Sequence, residues 1–188
     1  MPLLSRRDLL RLLCVAALAM HTAAAMAIDL LHLNKVELQA QGENYVLVGG
    51  YTVEFTPTLE DALQRGINFS FIQAFEIERP RSYWFAEGIA VVHRVRQLSY
   101  NALLRQYQLQ NDGQHETFDT LGEALRALGN LSEWPVLNVK QLDKKYLYQA
   151  RVRMYLDSSK LPKPLQLNAF ASERWDMDSG WREWLFKP

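Results

Sequence analysis

Two long stretches of this chain alternate between large apolar and polar side chains with a period of two. Tyr45, Leu47, Tyr51, Val53 and Phe55 share one parity, while Asn44, Thr52 and Glu54 take the other. Ile67, Phe69, Phe71, Phe75 and Ile77 repeat the pattern against Asn68, Ser70, Glu76 and Glu78. Successive side chains of a strand point to opposite faces, so each stretch predicts a strand with one dry face and one wet face. Further strands are expected over Ile89–Gln97, Leu103–Gln110, Tyr146–Leu156 and Gln166–Arg174, with turn signals at Gln41-Gly42, Asn111-Asp112-Gly113 and Asp157-Ser158-Ser159. Short strands at this spacing predict a mainly β fold, an antiparallel β-sandwich immunoglobulin-like in general shape.

Two segments break the period. Thr58-Leu59-Glu60-Asp61-Ala62-Leu63-Gln64-Arg65-Gly66 and Thr120-Leu121-Gly122-Glu123-Ala124-Leu125-Arg126-Ala127-Leu128-Gly129 each read as a short helix with a threonine N-cap, an acid three residues on and a glycine stop. Each buries only a narrow leucine stripe. Their likeness raises an internal duplication of a strand–helix–strand unit, but short capped amphipathic helices share these features anyway, and that plainer account is preferred.

The N-terminal 27 residues follow neither pattern. Arg6 and Arg7 precede leucines, a moderately apolar run extends from Leu12 to Met20, and Ala25-Met26-Ala27 offers the small residues of a cleavage site at Ala25 and Ala27. His21, Thr22 and Asp29 interrupt the roughly 20 apolar residues that a spanning helix needs. Cys14 lies inside the apolar run rather than just after it, where a lipid anchor would attach. The expectation is a cleavable signal helix over residues 1–27 of the twin-arginine kind, the general secretory route being the alternative, and a single β-rich domain over 28–188 in the periplasm. Membrane contact would then come only through an uncleaved signal.

Composition adds little chemistry. The chain has 21 basic and 21 acidic residues; without Arg6, Arg7, Arg11 and Asp8, 18 and 20 remain, a balance that gives no electrostatic reason to expect nucleic acid. The single cysteine leaves with the signal, so neither disulfides nor a thiol nucleophile are expected. His32, His93 and His115 are isolated, and no metal site or cofactor is predicted. Asp176 and Asp178 are the nearest approach to a carboxylate pair, yet Ser179-Gly180 follows and a solvated turn is the simpler account. Ser99 and Ser158 lack a nucleophile elbow, and Gly49-Gly50 reads as a bend or bulge inside a strand. No catalytic residue is predicted.

Three features point to binding instead. Arg79 and Arg81 flank Pro80 just before Tyr83, Trp84 and Phe85, a combination suited to an exposed aromatic and cationic hairpin tip. The plainer expectation is that these aromatics turn inward as the strand resumes. Trp175, Trp181, Trp184 and Phe186 could form an aromatic rim for a membrane surface, although core closure is the simpler role. Pro162, Lys163 and Pro164 predict a stiff, extended, basic connection facing solvent, serving either to bind or simply to join two strands.

Several strings resemble an exported proteobacterial family, domain of unknown function 4390, sometimes labelled proline-rich signal-peptide protein. They are Leu59-Glu60-Asp61-Ala62-Leu63-Gln64-Arg65-Gly66-Ile67, Arg79-Pro80-Arg81-Ser82-Tyr83-Trp84-Phe85, Leu98-Ser99-Tyr100-Asn101 with Arg105-Gln106-Tyr107, Leu156-Asp157, and Leu161-Pro162-Lys163-Pro164-Leu165-Gln166, with Trp175 and Trp181. The aromatic stretch departs from the family pattern, in which more tryptophan is expected. The resemblance implies no known activity; it does imply genetic company with a nitrogen-regulation-type sensor kinase and its response regulator. The leading expectation is therefore a non-enzymatic accessory or interaction module with an inner-membrane or envelope protein partner. The alternatives are a periplasmic carrier or sensor of an apolar small ligand or lipid held between the sheets, and a hydrolase with no recognisable motif.

Overall fold

A computed structural model describes residues 30–111, 113–132, 134–166, 175 and 177–188. In chain order these contain β1 (Leu31–Gln41), β2 (Asn44–Val53), α1 (Pro57–Gln64), β3 (Phe69–Arg79), β4 (Glu87–Asn101), β5 (Gln106–Asn111), β6 (Gln114–Phe118), α2 (Leu121–Gly129), β7 (Trp134–Asn138), β8 (Tyr148–Leu156) and β9 (Arg182–Phe186). A three-stranded sheet has the order β1-β2-β7 and a six-stranded sheet the order β6-β5-β4-β3-β8-β9. Every ladder is antiparallel. The expected sandwich is what forms.

Alternation explains the core. Phe69, Phe71, Phe75 and Ile77 of β3 and Ala150, Val152 and Met154 of β8 line the inner face of the larger sheet, and Leu47, Tyr51 and Val53 of β2 join the same cluster. Leu59 and Leu63 of α1, with Leu125 and Leu128 of α2, add the leucine stripes. α1 carries the chain from the smaller sheet to the larger one and α2 carries it back, so the two helices are opposite crossovers rather than one unit repeated.

Strands β1, β6, β7 and β9 have no counterpart in the alternation pattern, and they are the four edges of the two sheets. An edge strand buries little and carries charge or proline to discourage further pairing; β6 is Gln-His-Glu-Thr-Phe, with four of its five residues exposed, and β7 carries Pro135.

Some expected boundaries move. The strand expected from Leu103 begins at Gln106, because the Asn101 side chain accepts hydrogen bonds from the Leu103 and Leu104 N–H groups and Arg105 adopts a φ of 54°, closing a tight hairpin. The first helix is capped by Thr56, whose hydroxyl accepts from Leu59 N–H, with Pro57 in the first turn; Thr58 is already helical. The strand expected over Gln166–Arg174 lies outside the described residues except for Gln166, which is helical. The Thr120–Glu123 capping box forms as expected.

Strand β4 departs most from simple patterning. Val91 and Val95 face solvent, at 62% and 51% exposure, whereas Val92 packs against the core and Arg94 and Arg96 are buried on the inner face. The carboxyl end of α2 decides this. Arg96 Nη1 donates to Ala127 O at 2.6 Å, Arg94 Nη2 to Asn130 O at 2.5 Å, and Gln73 Nε2 to Leu128 O at 2.9 Å, while Arg94 Nε donates to Gln73 Oε1. The last carbonyls of a helix lack partners within it and carry partial negative charge, so a cation there is favoured. Burial pushes the Arg96 guanidinium below its usual range, opposed by the Glu116 carboxylate 3.6 Å away. Arg94 also lies 4.6 Å from the centroid of the Trp134 ring.

The same helix end meets the smaller sheet backbone to backbone. A Cβ on Gly129 would lie 2.1 Å from Tyr51 O, and Leu131 N–H donates to Gly49 O. Gly49, at a φ of 139°, stands where a Cβ would strike Lys35 O, opposite the register shift between Leu33 and Lys35. The bulge expected at Gly49-Gly50 falls instead on the partner strand, where Asn34 is the extra residue between the pairs Leu33↔Tyr51 and Lys35↔Gly50.

Two substitutions test this arrangement by thermal unfolding. Gln73→Leu removes the hydrogen bonds of Gln73 to Leu128 O and from Arg94 Nε, leaving Leu128 O the longer contact with Arg96 Nη1 at 3.4 Å, and a loss of about 2 kcal/mol is expected. Gly129→Ala is expected to cost about 2–3 kcal/mol by overpacking, whereas Gly88→Ala, with open space at its Cβ, serves as the neutral control. Equal melting temperatures for all three would contradict the account.

Candidate functional site

Residues 80–86 join β3 to β4, and all seven are exposed. The ladder ends at the pair Arg79↔Glu87, just after a register shift between Ile77 and Glu78. Pro80 comes next and has no N–H to extend the pairing. The base is pinned electrostatically. Arg79 and Arg81 both reach the Glu87 carboxylate, Arg81 at 2.6 Å, and the Arg79 guanidinium also stacks over the Tyr146 ring at 4.3 Å. The Arg81 hydrogen bond and the charges of both arginines outweigh burial and hold the Glu87 carboxyl below its usual range.

Beyond this base, Tyr83 is 93%, Trp84 79% and Phe85 96% exposed. The expectation of inward packing is overturned: the strands on either side fill the core with their own side chains, and the loop projects past the last ladder pair. The arginines are not free cations, as the sequence alone would allow, but the clamp that holds the aromatic tip.

Several segments share this end of the sandwich. Gln149 of β8 pairs with Glu78, Tyr148 pairs with Phe186 of β9, and Phe186 meets the Tyr45 ring edge-on at 5.3 Å. Thus the β1–β2 turn, the segment before β8 and the β9 terminus all lie near the tip. Tyr146 and Leu147 there are 36% and 48% exposed, and Lys145 pairs with Asp143 at 3.1 Å.

The other sequence candidates scatter. Pro162, Lys163 and Pro164 face solvent but are not extended: residues 163–166 form a helical turn in which Leu165 and Gln166 N–H groups donate to Pro162 O, and the Gln166 side chain donates to Ser159 O and Leu161 O. Prolines fit a first helical turn because its N–H groups have no partner there. This turn lies at the opposite end of the sandwich, after Leu156, which pairs with Phe71.

Trp175 is buried in the core, Trp184 packs near Phe75, and Phe186 packs against Tyr45. Core closure therefore describes three of the four C-terminal aromatics. Trp181 instead sits on the outer face, with the guanidinium of Arg151 at 4.8 Å and that of Arg153 at 5.9 Å from its ring. A crevice of about 570 Å³ runs beside it between the edges β1 and β9, lined by Leu33, Val36, Trp181 and Trp184 among others.

His32, His93 and His115 lie on β1, β4 and β6, each exposed. Among the described residues no three His, Cys, Asp or Glu side chains converge as metal ligands would. Ser99 pairs with Gln108 in mid-ladder, and Ser158 opens a 3-10 turn. Asp176 and the segment in which an export signal is expected, with Arg6, Arg7, Ala25 and Ala27, lie outside the described residues. Among the described helices none is long and apolar enough to cross a membrane. Asp178 is held by an arginine: Arg153 Nε donates to its Oδ1 at 2.8 Å, a second bond joins Nη2 to Oδ2, and Gly180 N–H donates to Oδ1.

Comparison with protein-family models matches residues 29–185 to the domain of unknown function named DUF4390, and the chain belongs to that family. The comparison with curated proteins found no match, and neither did that with solved structures.

Asp178 makes the acid limb of stability testable. Burial alone would raise its pKa, but the Arg153 and Gly180 hydrogen bonds prevail and hold it below the usual value. A carboxyl whose pKa is lower folded than unfolded contributes its stability in full above the unfolded pKa, about 3.9, and loses it as the pH falls through the folded value. Thermal melts between pH 7 and 2 should therefore show a shallower acid limb for Asp178→Asn than for the wild type. Parallel curves would show that the pair contributes nothing.

Proposed function

We propose that this chain, as a member of the family of domain of unknown function 4390, is an exported, non-enzymatic accessory module of the cell envelope that docks through its β3–β4 tip. The observation that carries this reading is the near-complete exposure of Tyr83, Trp84 and Phe85 on a clamped hairpin base. Three such rings bury about 150–250 Å² each when covered. At about 25 cal/mol per Å², leaving them in water forgoes on the order of 10 kcal/mol of burial, and that is released only when something covers them. The Arg79–Glu87–Arg81 clamp limits the entropy lost on docking, because the base of the loop is already ordered.

The wider setting proposed is the inner-membrane surface, where the module would influence a nitrogen-regulation-type sensor-kinase pathway. An apolar ligand, the alternative function, would find an opening in the crevice beside Trp181 and Trp184; native mass spectrometry that finds a retained lipid or small molecule would favour it.

A photo-activatable residue placed at Trp84 in growing cells tests the docking reading. Attached envelope material is expected, and it should be lost when Tyr83 and Phe85 are changed to alanine in the same chain. Recovery of bare protein alone would refute docking through the tip. A deletion strain whose kinase-pathway output is unchanged under nitrogen and envelope stress would remove the regulatory part.

A further inference from the structure

Resting on the docking reading, we infer that what covers the tip is the interfacial layer of a phospholipid bilayer, with Tyr83, Trp84 and Phe85 inserted and Arg79 and Arg81 at the level of the headgroups. The first argument is shape. Three consecutive side chains are each at least 79% exposed, so none of them shields another. Consecutive side chains of an open chain point in different directions, so a protein pocket would have to enclose the loop from several sides. A fluid hydrocarbon boundary wets every side of a convex tip at once.

The second argument is chemical. Tyrosine and tryptophan combine an apolar ring with a polar handle and concentrate at the membrane–water boundary. Below them, Arg79, Arg81 and Glu87 form a collar with a net charge of +1, and exposed Lys144 stands on the neighbouring segment. Guanidinium forks match phosphate oxygens at the depth where headgroups lie. Because Glu87 neutralises one of the two arginines and Asp143 pairs with Lys145, the expected attachment depends mainly on the rings and only weakly on lipid charge.

The third argument is length. From the last ladder pair, half of a seven-residue loop reaches at most about 12 Å at about 3.3 Å per residue. The headgroup layer of one leaflet is about 6 Å thick. The rings can therefore cross it and arrive at the acyl boundary, after which the β1–β2 turn and the segment Asp143–Leu147 at the same end of the sandwich would stop further entry. Leu147, half exposed on that rim, would lie against the surface.

The test uses the purified chain from residue 28 onward, which holds the whole core cluster and lacks the apolar N-terminal run that would bind lipid by itself, and vesicles of phosphatidylethanolamine with phosphatidylglycerol, alongside phosphatidylcholine alone. The wild type should float with either vesicle, whereas Tyr83→Ser/Trp84→Ser/Phe85→Ser should need at least about tenfold more lipid at an unchanged melting temperature. Lipids brominated near the headgroup should quench a fluorescence component in the wild type that is missing in Trp84→Phe, although that variant still floats. Equal flotation of the wild type and the triple-serine variant, or an unquenched Trp84, would overturn the lipid assignment. If that occurs while the Trp84 cross-linker in cells captures a protein, docking stands and its partner is that protein. Failure of both experiments removes docking as well.

Discussion

The carboxyl end of α2 is the contact on which the two sheets agree. It brings bare carbonyls into the space between layers, where each unpaired polar group costs about 1–3 kcal/mol. The larger sheet answers with Arg94, Arg96 and Gln73, and the smaller one with a glycine-to-backbone contact at Gly129 and Tyr51. Once β4 must turn its arginines inward, Val91 and Val95 face water, and the register of β3 against β4 leaves no freedom, because a slip of one residue would exchange the faces. A helix terminus thus sets the orientation of the longest strand.

That orientation bears on the functional end. The β3–β4 ladder runs in fixed register to Arg79↔Glu87, and the clamp at its end is made by that last pair together with Arg81. The aromatic tip is consequently the extension of two strands rooted in the core and not a loose loop. The opposite hairpin, around Leu103 and Leu104, is also exposed but is closed by Asn101 and Arg105 into a tight turn with no charged clamp.

The strings that carry the family likeness divide along the same line. Asn101 and Arg105 shape a hairpin, Tyr100 and Tyr107 face each other across it at 4.9 Å, Asp157 caps a 3-10 turn, and Gln166 ties the Pro162–Gln166 turn to Ser159 and Leu161. These residues serve the fold. The string from Arg79 to Phe85 differs, since its aromatics support nothing in the core, and for that reason it is the segment to which a docking role is given.

Central strands and both helices were legible in the amino-acid pattern, because a strand buried on one face must alternate and a short helix must be capped. The edge strands were not: β6 and β9 bury none of their side chains fully, and β7, although it buries Trp134, Val136 and Leu137, is too short and irregular to show an alternation. The sequence by itself determined the sandwich class, the helix at Thr120–Gly129 and the presence of an arginine-flanked aromatic run. Only the tertiary structure decided which face of β4 is dry and whether Tyr83, Trp84 and Phe85 point in or out. The first outcome depends on partners distant in sequence, the α2 carbonyls, and the second on where the β3–β4 ladder stops, at Arg79↔Glu87; that register is set by the packing of both strands in the core, and the pattern of the loop's own residues does not record it.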